Sequence, residues 1–410
     1  MIAIGKVLAV HAAALEVRLP FASIGEGVCV HARGGLVRGE VSGVMQGRAI
    51  VLPHDPCGGV RAGDEAVSDA HALCAPLGMQ LLGRCVDARG CPIDGGRAVR
   101  APLRPLAVSA PHPHERAAID DSLWTGVRAI DALLTIGRGA RIGIFGPPGA
   151  GKSTLLHAIA RGTYADAIVI GLIGERGREA EEWMRAAPRH AAIVCATSDR
   201  SAPERIRAAR LAIAQAHALR SRGLHVLLIL DSVARYAGAL REVALARGET
   251  AGRAGYPPGV FAQLAASLEV AGATNGGSIT LVATVLSDGD ERDPVSDAAR
   301  SLLDGHIQLS SSLAAAGRFP AIDVPLSASR TMNEVVSARH RGDAALVRAA
   351  LASLAETADA RRLGMQPVEA QAAKAAAAEP ALVAFLRQDG RPEDPAATLS
   401  QLAALADTLR

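Results

Sequence analysis

The stretch Gly146-Pro-Pro-Gly-Ala-Gly-Lys-Ser-Thr154 fits the pattern G-x-x-x-x-G-K-[ST], which is typical of P-loops that bind nucleotide phosphates. The β-prone residues 142–145 precede it, and apolar residues follow at helical spacing from position 155 to 160. Gly162 is expected to cap the carboxyl-terminal end of this helix. The alternative is a glycine-rich turn with an incidental lysine, which would make both flanking elements coincidences. The sequence therefore predicts a loop between a strand and a helix.

This loop has the chemistry to bind a nucleotide and a metal ion. Its backbone N–H groups and the amino-terminal end of the helix both favour phosphate oxygens, and Lys152 adds a full positive charge. The hydroxyl group of Ser153 is suited to bind Mg²⁺. The residues predicted to bind the nucleotide are Gly146, Gly149, Ala150, Gly151, Lys152, Ser153 and Thr154.

The composition indicates a folded protein with a large core. The chain has 410 residues, 49% of them hydrophobic, and roughly 100 to 200 residues per domain would give about two to four domains. Its 44 basic and 41 acidic residues leave a net charge of +3, which does not require nucleic acid or an anionic membrane as a partner. The six cysteines form no C-x-x-C pair, which disfavours a zinc site and a disulfide framework and favours a reducing cytosol.

The sequence favours a protein that is soluble or at most peripheral to a membrane. Lys6 and His11 interrupt the apolar amino terminus, so we expect a strand there rather than a signal peptide. No apolar stretch approaches the roughly 20 residues of a membrane-spanning helix.

Three regions follow one another along the chain. Short β-prone runs at 5–10, 15–19, 27–31, 37–44, 49–52 and 65–67 predict a small barrel. The Pro- and His-rich residues 102–113 are typical of an irregular connector, neither helix nor strand. The sequence after about residue 336 is alanine-rich and helical. The predicted domains are therefore a barrel at 1–75, a core with its leading connector at 76–335 and a helical domain at 336–410.

The central region has the pattern of an α/β fold. Between about residues 125 and 335, helical patterns alternate with β-prone runs at 142–145, 168–173, 192–196, 226–230, 278–286 and 306–309. Such alternation predicts a mostly parallel sheet covered by helices on both faces. Ligands of such sheets bind where the carboxyl ends of the strands meet.

Two of these runs are followed within two residues by a carboxylate. Asp231 ends a buried run and is suited to hold Mg²⁺ through its water shell, although it could instead cap a helix that starts near Ser232. Glu175 follows residues 168–173 and could orient or deprotonate the water that attacks a γ-phosphate. Its alternative is a surface turn whose Glu and Arg residues pair with each other.

Several further motifs together resemble the type III secretion and flagellar export ATPases, which are relatives of the F-type ATP synthase catalytic subunit. They cover most of the chain, so the resemblance is specific. It implies an α/β, RecA-like P-loop NTPase core between a small amino-terminal β-barrel and a carboxyl-terminal helical domain. The motifs are Leu81-Leu-Gly-Arg-Cys-Val-Asp87, Thr125-Gly-Val-Arg-Ala-Ile-Asp131, Gly174-Glu-Arg-Gly-Arg-Glu179, Thr197-Ser-Asp-Arg-Ser201, Asp231-Ser-Val-Ala-Arg235, Gly255-Tyr-Pro-Pro258, Ser301-Leu-Leu-Asp-Gly-His306, Phe319-Pro-Ala-Ile-Asp323 and Phe385-Leu-Arg-Gln388.

The resemblance also implies roles for single residues. Glu175 matches the catalytic glutamate, Arg176 follows it in the pocket, and Asp231 matches the aspartate that holds the metal. Arg330 matches the arginine that reaches the γ-phosphate of a neighbouring subunit, with an ordinary surface ion pair as its alternative. Phe319 matches the aromatic residue that stacks on adenine, with core packing as its alternative.

The relatives' pattern is broken in the carboxyl-terminal domain. Relatives place one aromatic residue near 353–358 and often a tyrosine near 363–366, and this chain has neither. The back of the adenine pocket is therefore expected to differ from theirs, whereas the phosphate site is not affected.

The implied function is ATP hydrolysis, with Mg²⁺, by a homohexamer that releases chaperones from secretion substrates and feeds unfolded chains into an export channel. The expected partners are chaperone–effector complexes and the stator and central stalk of a secretion apparatus. The expected location is the cytoplasm, peripheral to the inner membrane through that apparatus.

Four other functions are alternatives to this one. A flagellar export ATPase and, less favoured, a rotary F/V-type ATP synthase catalytic subunit are alternatives within the enzyme class. A non-catalytic subunit is disfavoured because Glu175 is present. A nucleic-acid motor like the Rho helicase is disfavoured because residues 1–75 contain one aromatic residue, Phe21, and few basic residues.

Overall fold

The amino-terminal strands close into a barrel. The computed structural model describes residues 3–11, 14–69, 73–286, 293–363, 365 and 369–410. The barrel strands within these ranges are β1 (Ile4–Val10), β2 (Leu15–Arg18), β3 (Gly27–Ala32), β4 (Gly35–Met45), β5 (Arg48–Pro53) and β6 (Glu65–Ser68). They pair in the order β1-β2-β5-β4-β3-β6, with β6 returning to β1. The predicted barrel is confirmed, and each predicted strand agrees to within two residues at either end.

The central sheet has nine strands among the described residues. They are β8 (Cys85–Val86), β12 (Arg141–Gly146), β13 (Ala167–Ile173), β14 (Ala191–Ala196), β15 (His225–Asp231), β16 (Gly272–Thr274), β17 (Gly277–Leu286), β18 (Gly305–Leu309) and β19 (Ile322–Ser329). The order is β19-β18-β12-β17-β15-β13-β14-β8, with β16 paired to β17. The strands from β18 to β8 run parallel, whereas β19 and β16 are antiparallel to their neighbours.

Helices cover both faces of this sheet. The helices of the core are α1 (Arg128–Leu133), α2 (Lys152–Gly162), α3 (Gly177–Ala186), α4 (Ala202–Arg220), α5 (Val233–Ala246), α6 (Pro258–Leu268), α7 (Pro294–Leu302), α8 (Ser311–Ala315) and α9 (Met332–Val335). Successive strand residues point to opposite faces. Val169 and Leu228 therefore pack with α4, α5 and α6, whereas Ile168 and Leu227 belong to the apolar cluster that contains α2 and α3.

The chain ends in a helical domain. Its helices are α10 (Ala338–Glu356), α11 (Ala358–Arg362), α12 (Ala370–Leu386) and α13 (Pro395–Leu409). Their apolar side chains join the cluster on the face of the sheet that carries α2. No helix in the described ranges combines the length and the apolar character needed to cross a membrane.

The connector at 102–113 is not wholly irregular, and that prediction was wrong at its start. Leu103–Pro105 forms a strand, β9, which pairs antiparallel with β7 (Cys74–Pro76). Three residues are too short to give a periodic signal, so the pairing depends on where the chain brings β7. A second two-stranded sheet joins β10 (Ser122–Leu123) to β11 (Ile136–Gly137).

Gly162 is the last residue of α2 rather than its cap. The residue beyond the helix end is Thr163, which has extended backbone angles and whose N–H donates to Ile159 O. A Cβ atom on Gly162 would lie 2.2 Å from Thr125 O. Glycine is therefore required for a close approach between the end of α2 and the segment before α1.

A buried carboxylate holds that segment in place. Asp131 accepts hydrogen bonds from Thr125 N (2.9 Å), Thr125 Oγ1 (2.7 Å) and Gly126 N (2.8 Å). The Gly126 carbonyl in turn accepts from Gln388 Nε2, and Gln388 Oε1 accepts from Arg128 N. This network ties the carboxyl-terminal domain to the end of the P-loop helix.

We expect Asp131→Ala to lower the free energy of unfolding by about 2 to 5 kcal/mol, because two buried N–H donors would lose their acceptor. Urea unfolding followed by circular dichroism measures this. The control is Asp120→Ala, at an exposed position, which should change stability by less than about 0.5 kcal/mol. Equal stability of the two variants would contradict the structural role of Asp131.

Candidate active site

The topology brings three loops to one edge of the central sheet. Gly146 ends β12, Asp231 ends β15, and Glu175 lies two residues beyond the end of β13. Because β12, β17, β15 and β13 are parallel neighbours, all three residues lie at the carboxyl edge. This juxtaposition was predicted from the sequence, and the structure has it.

The P-loop adopts a conformation that glycine allows. Gly149 and Gly151 have φ angles of 81° and 89°, in the left-handed region where a side chain would be strained. Lys152 is the first residue of α2, and its Nζ donates to Gly146 O (2.6 Å) and Pro147 O (2.9 Å). The backbone of the loop therefore surrounds the Lys152 ammonium group, at the amino-terminal end of α2.

Ser153 lies beside a carboxylate that the sequence analysis did not assign to the site. Its Oγ donates to Glu179 Oε2 at 3.5 Å. Glu179 is in the first turn of α3, four residues after Glu175. Glu179 is in the quoted motif Gly174–Glu179, but Glu175 precedes α3, so helical spacing does not relate the two residues. The contact between Glu179 and Ser153 depends on how α3 lies against α2.

Asp231 is buried and does not cap α5. The cap is Ser232, whose side chain accepts from Arg235 N, so the alternative role for Asp231 is excluded. Asp231 Oδ1 accepts from Thr284 Oγ1 (2.5 Å) on β17. Burial raises the pKa of Asp231, and the nearby Glu179 carboxylate raises it further, whereas the hydrogen bond from Thr284 lowers it.

Glu175 is also buried, which excludes the surface turn. Its Oε1 forms an ion pair with Arg235 Nε at 2.9 Å. Burial and the charge of Asp231 raise the pKa of Glu175 to about 7, although Arg235 lowers it. A carboxylate with a pKa near neutrality is suited to take up a proton from water.

Arg176 and Arg330 are not in this cluster. Arg176 is exposed and precedes α3 as its cap residue, so it lies at the rim of the site. Arg330 follows β19, which is antiparallel to β18: Ile322 pairs with Leu309 near the P-loop edge, and Ser329 pairs with Gly305 at the other end. Seven residues of strand span about 23 Å, so Arg330 lies at the edge opposite its own P-loop.

Phe319 faces the P-loop across a cavity of about 180 Å³. Its ring lies 3.9 Å from the position of a Cβ atom on Gly151, and Thr154 also lines the cavity. The lining residues are Val127, Gly151, Thr154, Leu155, Ala158, Leu309, Phe319, Pro320, Ala321, Gln388, Asp389 and Gly390. The carboxyl-terminal domain contributes Gln388, Asp389 and Gly390 to this lining, from the loop after α12.

The two stretches where relatives have further aromatic residues do not line this cavity in the described chain. Residues 353–358 belong to the end of α10 and the start of α11. Residues 364 and 366 lie outside the described residues. Gln388 takes part instead: its N–H donates to Phe319 O at 2.9 Å, which fixes the aromatic residue relative to the carboxyl-terminal domain.

The structure shows two further site residues that sequence reasoning missed. Arg235 contacts Glu175, and Thr284 contacts Asp231. Arg235 is in the quoted motif Asp231–Arg235, but its partner lies on another strand. Thr284 is a polar residue in an otherwise apolar run, which is a weak signal until β17 is placed between β12 and β15.

Helix α3 also packs against the P-loop helix. The Trp183 ring stacks on His157 of α2, with ring centroids 3.7 Å apart, and Trp183 is fully buried. The helix that carries Glu179 is thus fixed to the helix that begins at Lys152.

Known proteins resemble this chain in both sequence and architecture. Residues 126–329 match the nucleotide-binding domain of the ATP synthase alpha/beta family. A type 3 secretion system ATPase of Sinorhizobium fredii is 45% identical over 82% of this chain and 77% of its own length. The flagellum-specific ATP synthase of Treponema pallidum is 41% identical over 98% of this chain and 94% of its own length.

Solved structures extend the likeness to the whole fold. The assembled ATPase EscN of the enteropathogenic E. coli type III secretion system has a TM-score of 0.92 at 38% identity, covering 98% of this chain and 100% of its own. EscN in complex with its central stalk EscO has a TM-score of 0.89. These matches confirm the expected core, barrel and helical domain. The chain is an ATPase that belongs to the type III secretion and flagellar export ATPases, a branch of the ATP synthase alpha/beta family.

Proposed function

We propose that this chain hydrolyses ATP at the carboxyl edge of its central sheet, with Glu175 as the residue that activates water, and that this reaction powers type III protein secretion. The position of Glu175 carries the proposal. Its carboxylate is buried at the edge that holds the P-loop, in contact with Arg235. From there it can orient or deprotonate the water that attacks the γ-phosphate.

The cationic residues have complementary proposed roles. When ATP binds, Lys152 gives up its hydrogen bonds to two loop carbonyls and places its positive charge against the β- and γ-phosphates. Arg235 holds Glu175 in one orientation, and Arg176 adds a further positive charge at the rim. The N–H groups of the loop and of the first turn of α2 donate hydrogen bonds to the remaining phosphate oxygens.

The residues around Ser153 fit a magnesium ion. The Ser153 hydroxyl lies next to the Glu179 carboxylate, and Asp231 is a buried carboxylate whose pKa is raised partly by Glu179. A hydroxyl next to carboxylate oxygens suits a small hard cation. We therefore assign Ser153 and Asp231 to hold the Mg²⁺ of the ATP complex. When bound, this ion neutralises charge that develops on the phosphate oxygens.

We further propose that the active form is a ring, a homohexamer, in which Arg330 of one subunit serves the neighbouring site. In its own subunit Arg330 lies at the sheet edge opposite the P-loop. Strand β19 separates it by about 23 Å from Ile322, which is close to Phe319 in the chain. Arg330 is also exposed at the end of β19, where a neighbouring subunit can reach it. A completed site would then need two subunits.

The proposed partners follow from the relatives. EscN was solved as an assembled ATPase and with its central stalk EscO, so we propose that this chain also assembles and binds a stalk. Chaperone–effector complexes, a stator and a position at the inner membrane complete the proposal. Flagellar export is the second candidate, because the Treponema pallidum relative matches over 98% of this chain.

We expect Glu175→Gln to lower kcat by about 10² to 10⁴, because the amide cannot accept a proton from water. ATPase assays with a phosphate readout measure kcat, and titration with a fluorescent ATP analogue should show unchanged binding. The control is Glu182→Gln, an exposed residue of α3 that pairs with Arg178, which should keep full activity. Normal turnover of Glu175→Gln would remove this residue from the mechanism.

Phe319→Ala should raise the KM for ATP about tenfold with little change in kcat, because loss of base stacking weakens substrate binding without changing the phosphate site. Steady-state kinetics separate the two constants. Phe319→Tyr keeps an aromatic face and should retain the original KM. If alanine and tyrosine gave the same KM, the ring would not stack on the base.

Arg330→Ala should lower kcat by about 10³ if the arginine stabilises the transition state of a neighbouring site. Mixing this variant with Glu175→Gln should restore part of the activity, because some interfaces would then combine an intact Glu175 with an intact Arg330. The control mixture pairs Arg330→Ala with the double variant Glu175→Gln, Arg330→Ala, which cannot form a complete interface. Absence of rescue in confirmed mixed assemblies would contradict action between subunits.

A further inference from the structure

A second cavity lies between the amino-terminal barrel and the core. Its volume is about 340 Å³, and it shares no lining residue with the cavity at Phe319. The barrel contributes Leu52 and His54, and α4, α5 and α6 contribute most of the remaining wall. Small-molecule sites favour domain boundaries and combine an apolar wall with a few polar groups, at about 300 to 1,000 Å³. This cavity meets that description.

The apolar part of the wall is extensive. It is formed by aliphatic side chains from the three helices, from the segment that follows α6 and from the connector after β9. Six of them are Leu106, Val108, Ile206, Leu240, Val243 and Val270. An occupant therefore gains by burying an apolar body here.

The charged part of the wall is unbalanced. Arg207, Arg210 and Arg247 line the cavity, and Glu40 is the carboxylate among its lining residues. His54 does not add to the imbalance, because burial and the charges of Arg207 and Arg210 lower its pKa to about 3 and keep it neutral. The described lining thus carries three positive charges and one negative charge.

These arginines differ in how far the protein satisfies them. Arg207 donates to the carbonyls of Ala88 and Cys74, and Arg210 donates to Glu40 Oε2 at 2.8 Å. Arg247 Nε is buried and has no hydrogen-bond partner among the described residues. Burial lowers the pKa of Arg247; the carboxylates of Glu40 and Glu249 raise it in part, and the charge of Arg210 lowers it again. An anion near Arg247 would relieve both penalties.

We propose that the cavity between barrel and core binds a small organic anion with an apolar body, whose acidic group is held by Arg247 and Arg210. A planar guanidinium can donate two parallel hydrogen bonds to a carboxylate, sulfonate or phosphate group. The excess of positive charge selects for an anion, and the aliphatic wall selects against a small hydrated ion. The site is distinct from the ATP site and does not depend on the proposed mechanism.

The test uses a matched pair of dyes and the full-length protein. The anionic probe is 8-anilinonaphthalene-1-sulfonate, and the neutral probe is N-phenyl-1-naphthylamine, which has the same apolar body without the sulfonate. Fluorescence titration should show saturable binding of the sulfonate. Arg247→Gln should raise the Kd of the sulfonate about tenfold, because a charge-assisted hydrogen bond is lost, and should leave the neutral dye unaffected. Arg222→Gln removes a charge at an exposed position outside the cavity and should change neither.

A second variant tests the location without changing charge. Ala266 is exposed and lines the cavity, so Ala266→Trp should fill part of the entrance while the fold is retained, and both dyes should bind more weakly. Circular dichroism and thermal unfolding verify that each variant is folded. Unchanged binding of the sulfonate to Arg247→Gln, or to Ala266→Trp, would overturn the proposal. Equal losses in Arg247→Gln and Arg222→Gln would also overturn it, because the effect would then be general surface charge.

Discussion

The parallel pairing of β12, β17, β15 and β13 is the constraint on which the rest of the structure depends. Because these strands are buried on both faces and run in one direction, their carboxyl ends meet at a single edge. The residues that follow each strand are therefore neighbours in space, although Lys152 and Asp231 are far apart in sequence.

The same edge concentrates charge where water is scarce. Glu175 and Asp231 are buried carboxylates, and Glu179 lies close enough to raise the pKa of both. Lys152 and Arg235 offset part of this repulsion. Such a cluster is costly for a folded chain by itself, and it becomes favourable when phosphates and a cation distribute the charge. In the proposed ATP complex, the substrate would complete this arrangement.

Much of this could be predicted from the sequence, because the strongest signals are local. The P-loop, the six core strands and the barrel strands each depend on residues that are close in sequence. The parts that could not be predicted depend on tertiary contacts. Gly162 is set by its approach to Thr125, β9 by the position of β7, and the role of Thr284 by the insertion of β17 between two other strands.

The edge strand β19 needed tertiary information for a further reason. It contains Pro325, which cannot donate to a neighbouring strand and is tolerated at a sheet edge. The proline interrupts the alternation of apolar and polar residues, so the sequence gives a weak strand signal. The direction of β19 in the sheet could therefore not be predicted. That direction decides where Arg330 lies, and the family resemblance alone left this open.

The antiparallel direction of β19 also gives each subunit two unlike ends. A contact that brings the Arg330 end of one copy to the P-loop end of the next is heterologous, so it has a polarity and leaves an unused end on each side of an open row. A row of such copies contains one fewer complete site than it has members. Closing the row into a circle adds the missing site, and every member then contributes equally.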